Sequence, residues 1–346
     1  MKTFKIYVSL FLLFLISACS LEDVTDFLNS NSKNTSLTDY FAVANRGSGI
    51  VTIYNAKNTD KIDDIVLDGT NAAPTYVTYS KSRDVMYVAD FNNPRVVAYN
   101  MADFSKIEEF SVGSGAFHMW NNDYTNQLWV NNLTDKTTSV VDLNSGETVA
   151  TLNLPEGIGL PSDAVQHDVI LSPTGKYAYV SIISTASDNY VLQYDTTSFN
   201  VLNATIVGGD PHLTVTAQHL YILSQNASSI VEYNFDDLTP TGKSGSIANA
   251  HGVTLGDDDD ILVTNISERK LAVYNTDTER VDRVTDAGST TGVAHNIAFN
   301  TRQNILALTL SGGTAVDFFR VSKNKITYLS SNESGTNPFG IVYMAR

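Results

Sequence analysis

The stretch His167-Asp168-Val169-Ile170-Leu171-Ser172-Pro173-Thr174-Gly175-Lys176-Tyr177-Ala178-Tyr179-Val180 holds two apolar runs around a cluster of turn formers. β-Branched and aromatic side chains suit a pleated, half-buried surface, and Ser-Pro-Thr-Gly is turn chemistry, so the stretch reads as a hairpin. Its second run, Ala178 to Ile182, has counterparts at Phe41 to Asn45, Met86 to Asp90, Leu128 to Asn132, Leu220 to Ser224, Ile261 to Asn265 and Leu306 to Leu310. Its first run, Gln166 to Leu171, is matched by Pro74 to Tyr79, Ala116 to Trp120, Pro211 to Val215, Ala250 to Leu255, Ala294 to Phe299 and Pro338 to Tyr343. A third run follows each second one and usually closes on an aromatic and a polar residue: Tyr54-Asn55, Tyr99-Asn100, Tyr194-Asp195, Tyr233-Asn234 and Tyr274-Asn275, with Val141-Asp142 and Phe319-Arg320 as degenerate copies.

A period of about 40 to 50 residues, with no sustained helical period, is the spacing of propeller blades. The expected fold is all-β: a seven-bladed β-propeller of four-stranded blades over residues 40–346. One copy is split, its first run coming from the C-terminus and the others from the N-terminus. Pairing between the two chain ends is expected to close the ring, hide an exposed sheet edge and account for a chain that stops at Arg346. An eighth blade would need another copy of the first run, and there is none.

The 346 residues are 42% hydrophobic and 17% charged, enough to bury a sizeable core. A net charge of −15 repels a phosphate backbone, so nucleic acid is not an expected partner. Lys2 and Lys5 precede an apolar run, Ile6 to Ile16, that is too short to span a membrane as a helix, so residues 1–18 read as a signal peptide. Its end, Ile16-Ser17-Ala18-Cys19, resembles the bacterial lipobox, which implies acylation (palmitate) of Cys19 and cleavage before it. Cys19 is the only cysteine, so no disulfide forms within one chain. The resemblance implies a partner, the membrane, reached through a lipid anchor in the bacterial cell envelope. Ser20 in place of Asp favours the outer membrane and leaves the leaflet open. Residues 19–39 are polar and turn-rich and read as a flexible tether, with a short helix over Asp23 to Leu28 as the alternative.

The His167 to Val180 stretch resembles the repeat of YVTN-type β-propellers, over nearly all of residues 40–346. That group spans surface-layer repeats, lactonase-like enzymes, haem-handling propellers and the copper domain of nitrous oxide reductase, so the resemblance implies architecture and leaves function open.

The chemistry converges at one level of the repeat. The second position of each first run holds Thr75, Phe117, His167, His212, His251, His295 and Phe339, and His118 lies one residue further along. Five of the six histidines are therefore expected at one channel mouth, with His219 elsewhere, in a hairpin. Three readings stand open: flat polar rings that pack between blades, a transition-metal or cofactor site, and an organic ligand site formed by His118, His167, His212, His251 and His295. For the metal reading, His167, His212, His251 and His295 are the ligands, and neutral imidazoles suit Cu or Zn better than Ca or Mg. Ala250-His251-Gly252-Val253 and Ala294-His295-Asn296-Ile297 are similar to the channel-mouth segments of nitrous oxide reductase. A His-His pair, an appended cupredoxin domain and a Cys cluster are missing, so that reaction itself is not expected. Haem ligation, as in cytochrome d1-like propellers, stays open. Asp163, Asp168 and Asp210 lie beside these histidines in sequence and would serve a lactonase-like reaction.

Other signals carry less. Thr241-Gly242-Lys243-Ser244 lacks the earlier glycine of a phosphate-binding loop and reads as a turn. Asp257 to Asp260 reads as a solvated hairpin. Trp120 and Trp129 are expected between sheets, or, if exposed, at a carbohydrate or protein contact. The overall expectation is a binding or scaffold module for an envelope protein or small-molecule ligand. The alternative is a metal- or haem-handling or lactonase-like enzyme.

Overall fold

Every repeat folds into one four-stranded antiparallel sheet, and there are seven such sheets. The computed structural model describes residues 37–185, 188–289 and 291–346. The signal peptide, Cys19, the Asp23 to Leu28 segment and nearly all of the tether lie outside the described residues. The inner strands are Pro338–Met344 (blade 1), Pro74–Ser80 (blade 2), Ala116–Asn122 (blade 3), Val165–Leu171 (blade 4), Pro211–Val215 (blade 5), Ala250–Leu255 (blade 6) and Val293–Asn300 (blade 7). Each touches the inner strands of both neighbouring blades, and the series returns to its start, which closes a ring around a channel.

The apolar pattern explains the ring. Blades are buried on both faces, and the seven hydrophobic clusters each lie between two adjacent sheets. Ala42, Ile53, Met86 and Val88 fill the wedge between blades 1 and 2, and Phe41, Tyr54, Ala307 and Phe318 the wedge between blades 7 and 1. Outer strands face water on one side, so Val201–Val207 alternates strictly and Pro240–Ser246 is almost wholly exposed. The Thr241 to Ser244 tetrapeptide lies in that outer strand and not in a turn, because an exposed edge tolerates the proline and glycine that a central strand would not.

The aromatic-polar pairs have a local cause. The aromatic is buried between blades, while the following Asn or Asp caps the next turn: Asn55, Asn100, Asp142, Asp195 and Asn275 accept backbone N–H bonds from residues two or three further on. Four residues after the Asn or Asp, the backbone turns left-handed in each copy, at Thr59, Phe104, Gly146, Phe199 and Glu279.

Blade 1 is completed as expected: Tyr40–Asn45 pairs with Pro338–Met344 on one side and Ile50–Asn55 on the other. A polar latch reinforces the seam. Arg346 clamps Asp84 through Nε at 2.8 Å and a terminal nitrogen at 2.6 Å, while its backbone N–H and the Tyr343 hydroxyl both donate to Asp39. No helix among the described residues is long and apolar enough to cross a membrane.

Candidate functional site

The inner strands of six blades carry a β-bulge at the same place, with register breaks at Pro74/Val77, Ala116/Met119, Gln166/Val169, Ala250/Val253 and Ala294/Ile297, and a matching break where blade 1 pairs. A bulge leaves a residue unpaired and re-aims the side chains beside it. Two consecutive residues, such as His167 and Asp168, thereby serve the channel where strict alternation would turn one of them away. A hydroxyl from the second strand repairs the ladder: Ser181, Thr264 and Thr309 accept the backbone N–H of Asp168, Gly252 and Asn296 at 2.9, 2.7 and 3.0 Å. Blade 5 has no bulge, and His212 pairs in regular register with Leu223.

The slot residues form a closed circle of six rings. Centroids are 5.9 Å apart for Phe117–His167, 5.3 Å for His167–His212, 4.2 Å for His212–His251, 4.4 Å for His251–His295, 4.2 Å for His295–Phe339 and 5.6 Å for Phe339–Phe117. Thr75 instead turns into the sheet and donates to Ala116 O at 2.9 Å. A second layer lies against the circle. His118 stacks on Tyr76 at 3.8 Å and bonds Asp168 through Nδ1 at 3.0 Å, and Asn296 reaches Tyr76 Oη at 3.2 Å. Below it the channel continues as a cavity of about 350 Å³, lined by His118, Asp168, His212 and His251 at one end and by Tyr79, Trp120 and Tyr343 towards the other.

Three donors come together: Asp210, His212 and His251 each offer a ligand atom within 4.8 Å of the others. Asp210 Oδ1 lies 3.7 Å from His212 Nε2 and 4.0 Å from His167 Nδ1, and both of these buried ring nitrogens have no hydrogen-bond partner. His251 Nε2 faces His295 Nε2 at 3.1 Å. The hydrogen-bond network assigns one set of tautomers to that pair. Asn296 Nδ2 donates to His295 Nδ1 at 2.8 Å, which puts the His295 proton on Nε2; His251 then accepts on Nε2 and donates from Nδ1 to Gln225 Oε1 at 2.7 Å.

Charge is tuned to keep these rings neutral. Burial, helped by the neighbouring His118 charge, pushes His167 down to about 3 and His251 to about 4. His212 and His295 are held well below the ordinary imidazole value by burial and then by the charges that adjacent rings would carry. Burial raises Asp210. For Asp168 burial also acts upward, but the charge and hydrogen bond of His118, the His167 ring and the Leu213 N–H outweigh it and bring the carboxyl below its ordinary value. Neutral imidazoles present lone pairs, the form that binds metal.

The five channel histidines of the sequence reading are thus brought into one cluster, with Asp168 and Asp210. Asp163 is not in it: exposed at the surface, it accepts from Thr185 N at 2.8 Å and from the Thr185 hydroxyl. His219 closes the turn of the hairpin formed by Pro211–Val215 and His219–Ser224, away from the channel mouth, with Nδ1 3.6 Å from Glu232. Trp129 is fully buried between blades 3 and 4, whereas Trp120 is 38% exposed at the cavity's far end. Asp257–Asp259 make a single exposed 3₁₀ turn in the hairpin. Tyr76, Asn296, Gln225 and Arg46 were not singled out from sequence, because their place at the mouth depends on bulges and loops that leave no periodic trace.

The fold and this mouth define the class: a seven-bladed propeller with a histidine-lined channel. The chain matches no protein-family model and no curated protein sequence. Among solved structures it is similar to the periplasmic gluconolactonase of Pseudomonas aeruginosa (TM-score 0.68, 15% identity, 89% of this chain and 99% of that one). It is also similar to a Desulfotomaculum acetoxidans protein of unknown function (TM-score 0.73, 12% identity, 89% and 99% covered). A third match is a candidate 6-phosphogluconolactonase of Bacteroides fragilis (TM-score 0.68, 13% identity, 90% and 99% covered). At these identities the shared property is the fold.

Proposed function

We propose that this propeller is an envelope enzyme that holds a divalent transition-metal ion at its channel mouth and acts on a small ligand there, hydrolysis of a lactone-type ester being the chemistry the donor set suits best. The carrying observation is the pair of buried, unpartnered ring nitrogens, His212 Nε2 and His167 Nδ1, directed at Asp210. A buried polar atom without a partner costs about 1 to 3 kcal/mol; an ion ligated by His212 removes that cost at Nε2, and His167 Nδ1 stays available to the ligand bound beside it. Asp210, His212 and His251 form the core of the set, with His295 as a fourth donor. Two donors at about 2.1 Å from one ion lie about 3.4 Å apart at a tetrahedral angle, a few tenths of an ångström wider than the 3.1 Å between His251 and His295. For both to ligate through Nε2, the His295 proton moves to Nδ1 and the Asn296 amide turns to accept it. The donors are nitrogen and oxygen with no thiolate, which favours zinc, with copper(II) as the second choice. Converging nitrogens with neighbouring rings packed against them suit a single ion better than haem, which needs one axial ring facing a flat void.

When bound, such an ion supplies Lewis-acid polarisation of a carbonyl and a more acidic water. His118, held by Asp168 through Nδ1 at 3.0 Å, lines the channel beside this set. The scaffold reading draws less support, since a passive disc has no use for neutralised, unpartnered imidazoles. Elemental analysis of the protein dialysed against zinc and then against copper is the test. About one tightly held ion per chain is expected, together with its loss in His251→Ala/His295→Ala and lactone hydrolysis abolished by chelation. A chain that retains neither metal and turns over no lactone defeats the proposal.

The location proposed with it is membrane attachment through Cys19. Fatty-acid labelling and detergent-phase partition are expected for the full chain and lost in Cys19→Ser; equal partition of the two proteins would refute the anchor.

A further inference from the structure

The mouth has two unlike halves. Blades 4 to 7 present His167, His212, His251 and His295 with two carboxylates, while blades 1 to 3 present Phe339, Tyr76 and Phe117. Over the second half lies Arg46, from the loop after Tyr40–Asn45. Its guanidinium carbon is 4.3 Å from the Phe91 centroid, 5.5 Å from Phe339 and 6.0 Å from Phe117. Phe339 packs on His295 at 4.2 Å and Phe117 on His167 at 5.9 Å, so the same rings that seat the guanidinium border the cluster.

Arg46 differs from the chain's structural arginines. Arg95 is bonded by Asp90 and Glu109, Arg283 by Asp260 and Asp282, and Arg346 by Asp84, whereas among the described residues the Arg46 guanidinium has no carboxylate and no hydrogen-bond acceptor. The electrostatic consequence follows the same division: burial leaves Arg46 below the ordinary guanidinium value, while the Asp84 bond holds Arg346 above it. In a chain of net charge −15, a half-buried, aromatically fixed guanidinium with its donors free is a prepared anion receptor. Stacking holds the fork in one plane, so little side-chain entropy remains to be lost when an oxyanion pairs with it.

We infer that Arg46 clamps an oxyanion group of the ligand, a carboxylate or a phosphate, so that the substrate class is a small anion that spans from Arg46 to the histidine half of the mouth. The inference rests on the metal reading above, because without an ion Asp168 and Asp210 make the histidine half repel an anion. Arg46 is a binding and specificity residue in this scheme and is not one of the metal ligands.

The test is calorimetric titration of inorganic phosphate and of malonate into the full-length protein, zinc-loaded and metal-free, for wild type, Arg46→Gln and Arg46→Lys. A charge-assisted pair contributes about 1.5 to 3 kcal/mol, so Arg46→Gln is expected to weaken the bound anion about tenfold or more, with Arg46→Lys between and zinc content unchanged in all three. Tighter binding of phosphate than of malonate assigns a phosphate-bearing ligand, and the reverse a carboxylate. Equal affinity in wild type and Arg46→Gln, or no anion binding by zinc-loaded wild type, overturns the clamp and marks Arg46 as a stacking residue only. Failure of the metal reading shows separately, as a zinc content near zero, and takes the clamp with it; zinc bound normally with equal anion affinity in wild type and Arg46→Gln overturns the clamp alone.

Discussion

Acidifying the metal-free protein from pH 7 to pH 4 is expected to strip most of its stability, through the histidine circle. In the folded state burial holds His167 at about 3 and His251 at about 4, so each stays neutral until the pH nears its folded value, whereas in the unfolded chain each takes up a proton near 6.5. Between those values the unfolded state binds more protons. Stability therefore rises with pH, is fully present above about 6.5 and is lost as pH falls towards the folded values. Each such ring contributes on the order of 3 kcal/mol to the loss, against a total of about 5 to 15 kcal/mol for a typical domain. His212 and His295 act in the same direction. Asp168, lowered in the fold, adds stability above its unfolded value that disappears at still lower pH, and Asp210, raised by burial, opposes the trend in part. Urea midpoints at pH 7, 6, 5 and 4 measure the effect. His251→Gln, which cannot take the proton, is expected to flatten the slope, and bound zinc to move the loss to lower pH. A midpoint constant between pH 7 and 4.5 would show that the rings are hydrated and not buried as a group.

How much of this was legible in the sequence follows the physics of each feature. Blade number, strand order and ring closure rest on apolar runs that recur with a fixed period, and burial on both faces writes such runs into every copy. The Tyr-Asn and Tyr-Asp endings are equally legible because the turn after them needs a capping carboxylate or amide. The convergence of His167, His212, His251 and His295 follows once seven inner strands share one axis. What periodicity does not carry is the bulge. It brings Tyr76, His118, Asp168 and Asn296 to a second layer, and strict alternation would have turned them away. Asp210 lies just before its strand and reaches the site from a loop, as do Gln225 and Arg46. Asp163 shows the opposite error: closeness in sequence to His167 did not bring it near, because the loop before Val165–Leu171 leads it outward to Thr185.

A single methyl group is expected to separate the site from the scaffold that builds it. Gly252 follows His251 in the bulge of blade 6, and a Cβ added there would fall 2.1 Å from His295 O and 2.9 Å from Asn296 Cα, both on the next blade's inner strand. The requirement is close approach and not backbone conformation. Gly340 plays the same part against Thr75 O, at 2.3 Å, across the closing blade. The contact at Gly252 is bridged by Thr264, whose hydroxyl accepts the Gly252 N–H at 2.7 Å and donates to His295 O at 2.8 Å. In Gly252→Ala the neighbouring strand must give way as a unit, since backbone cannot rotate aside as a side chain can, and overpacking of this kind costs about 1 to 3 kcal/mol. The displaced strand carries His295, so the 3.1 Å approach to His251 opens and two donors part. Thr264→Val is the comparison: it removes the hydroxyl from the Gly252 N–H and from the His295 carbonyl, at about 1 to 3 kcal/mol for each group left unpaired, without pushing the strands apart. Both variants are therefore expected to melt lower, but only Gly252→Ala should also lose zinc, by tenfold or more in affinity if one of four ligands is displaced. Denaturation curves and zinc titration on the two proteins decide it. A Gly252→Ala protein that binds zinc as wild type does would mean that His295 is not held by blade-to-blade packing, and that the cluster takes its geometry from elsewhere.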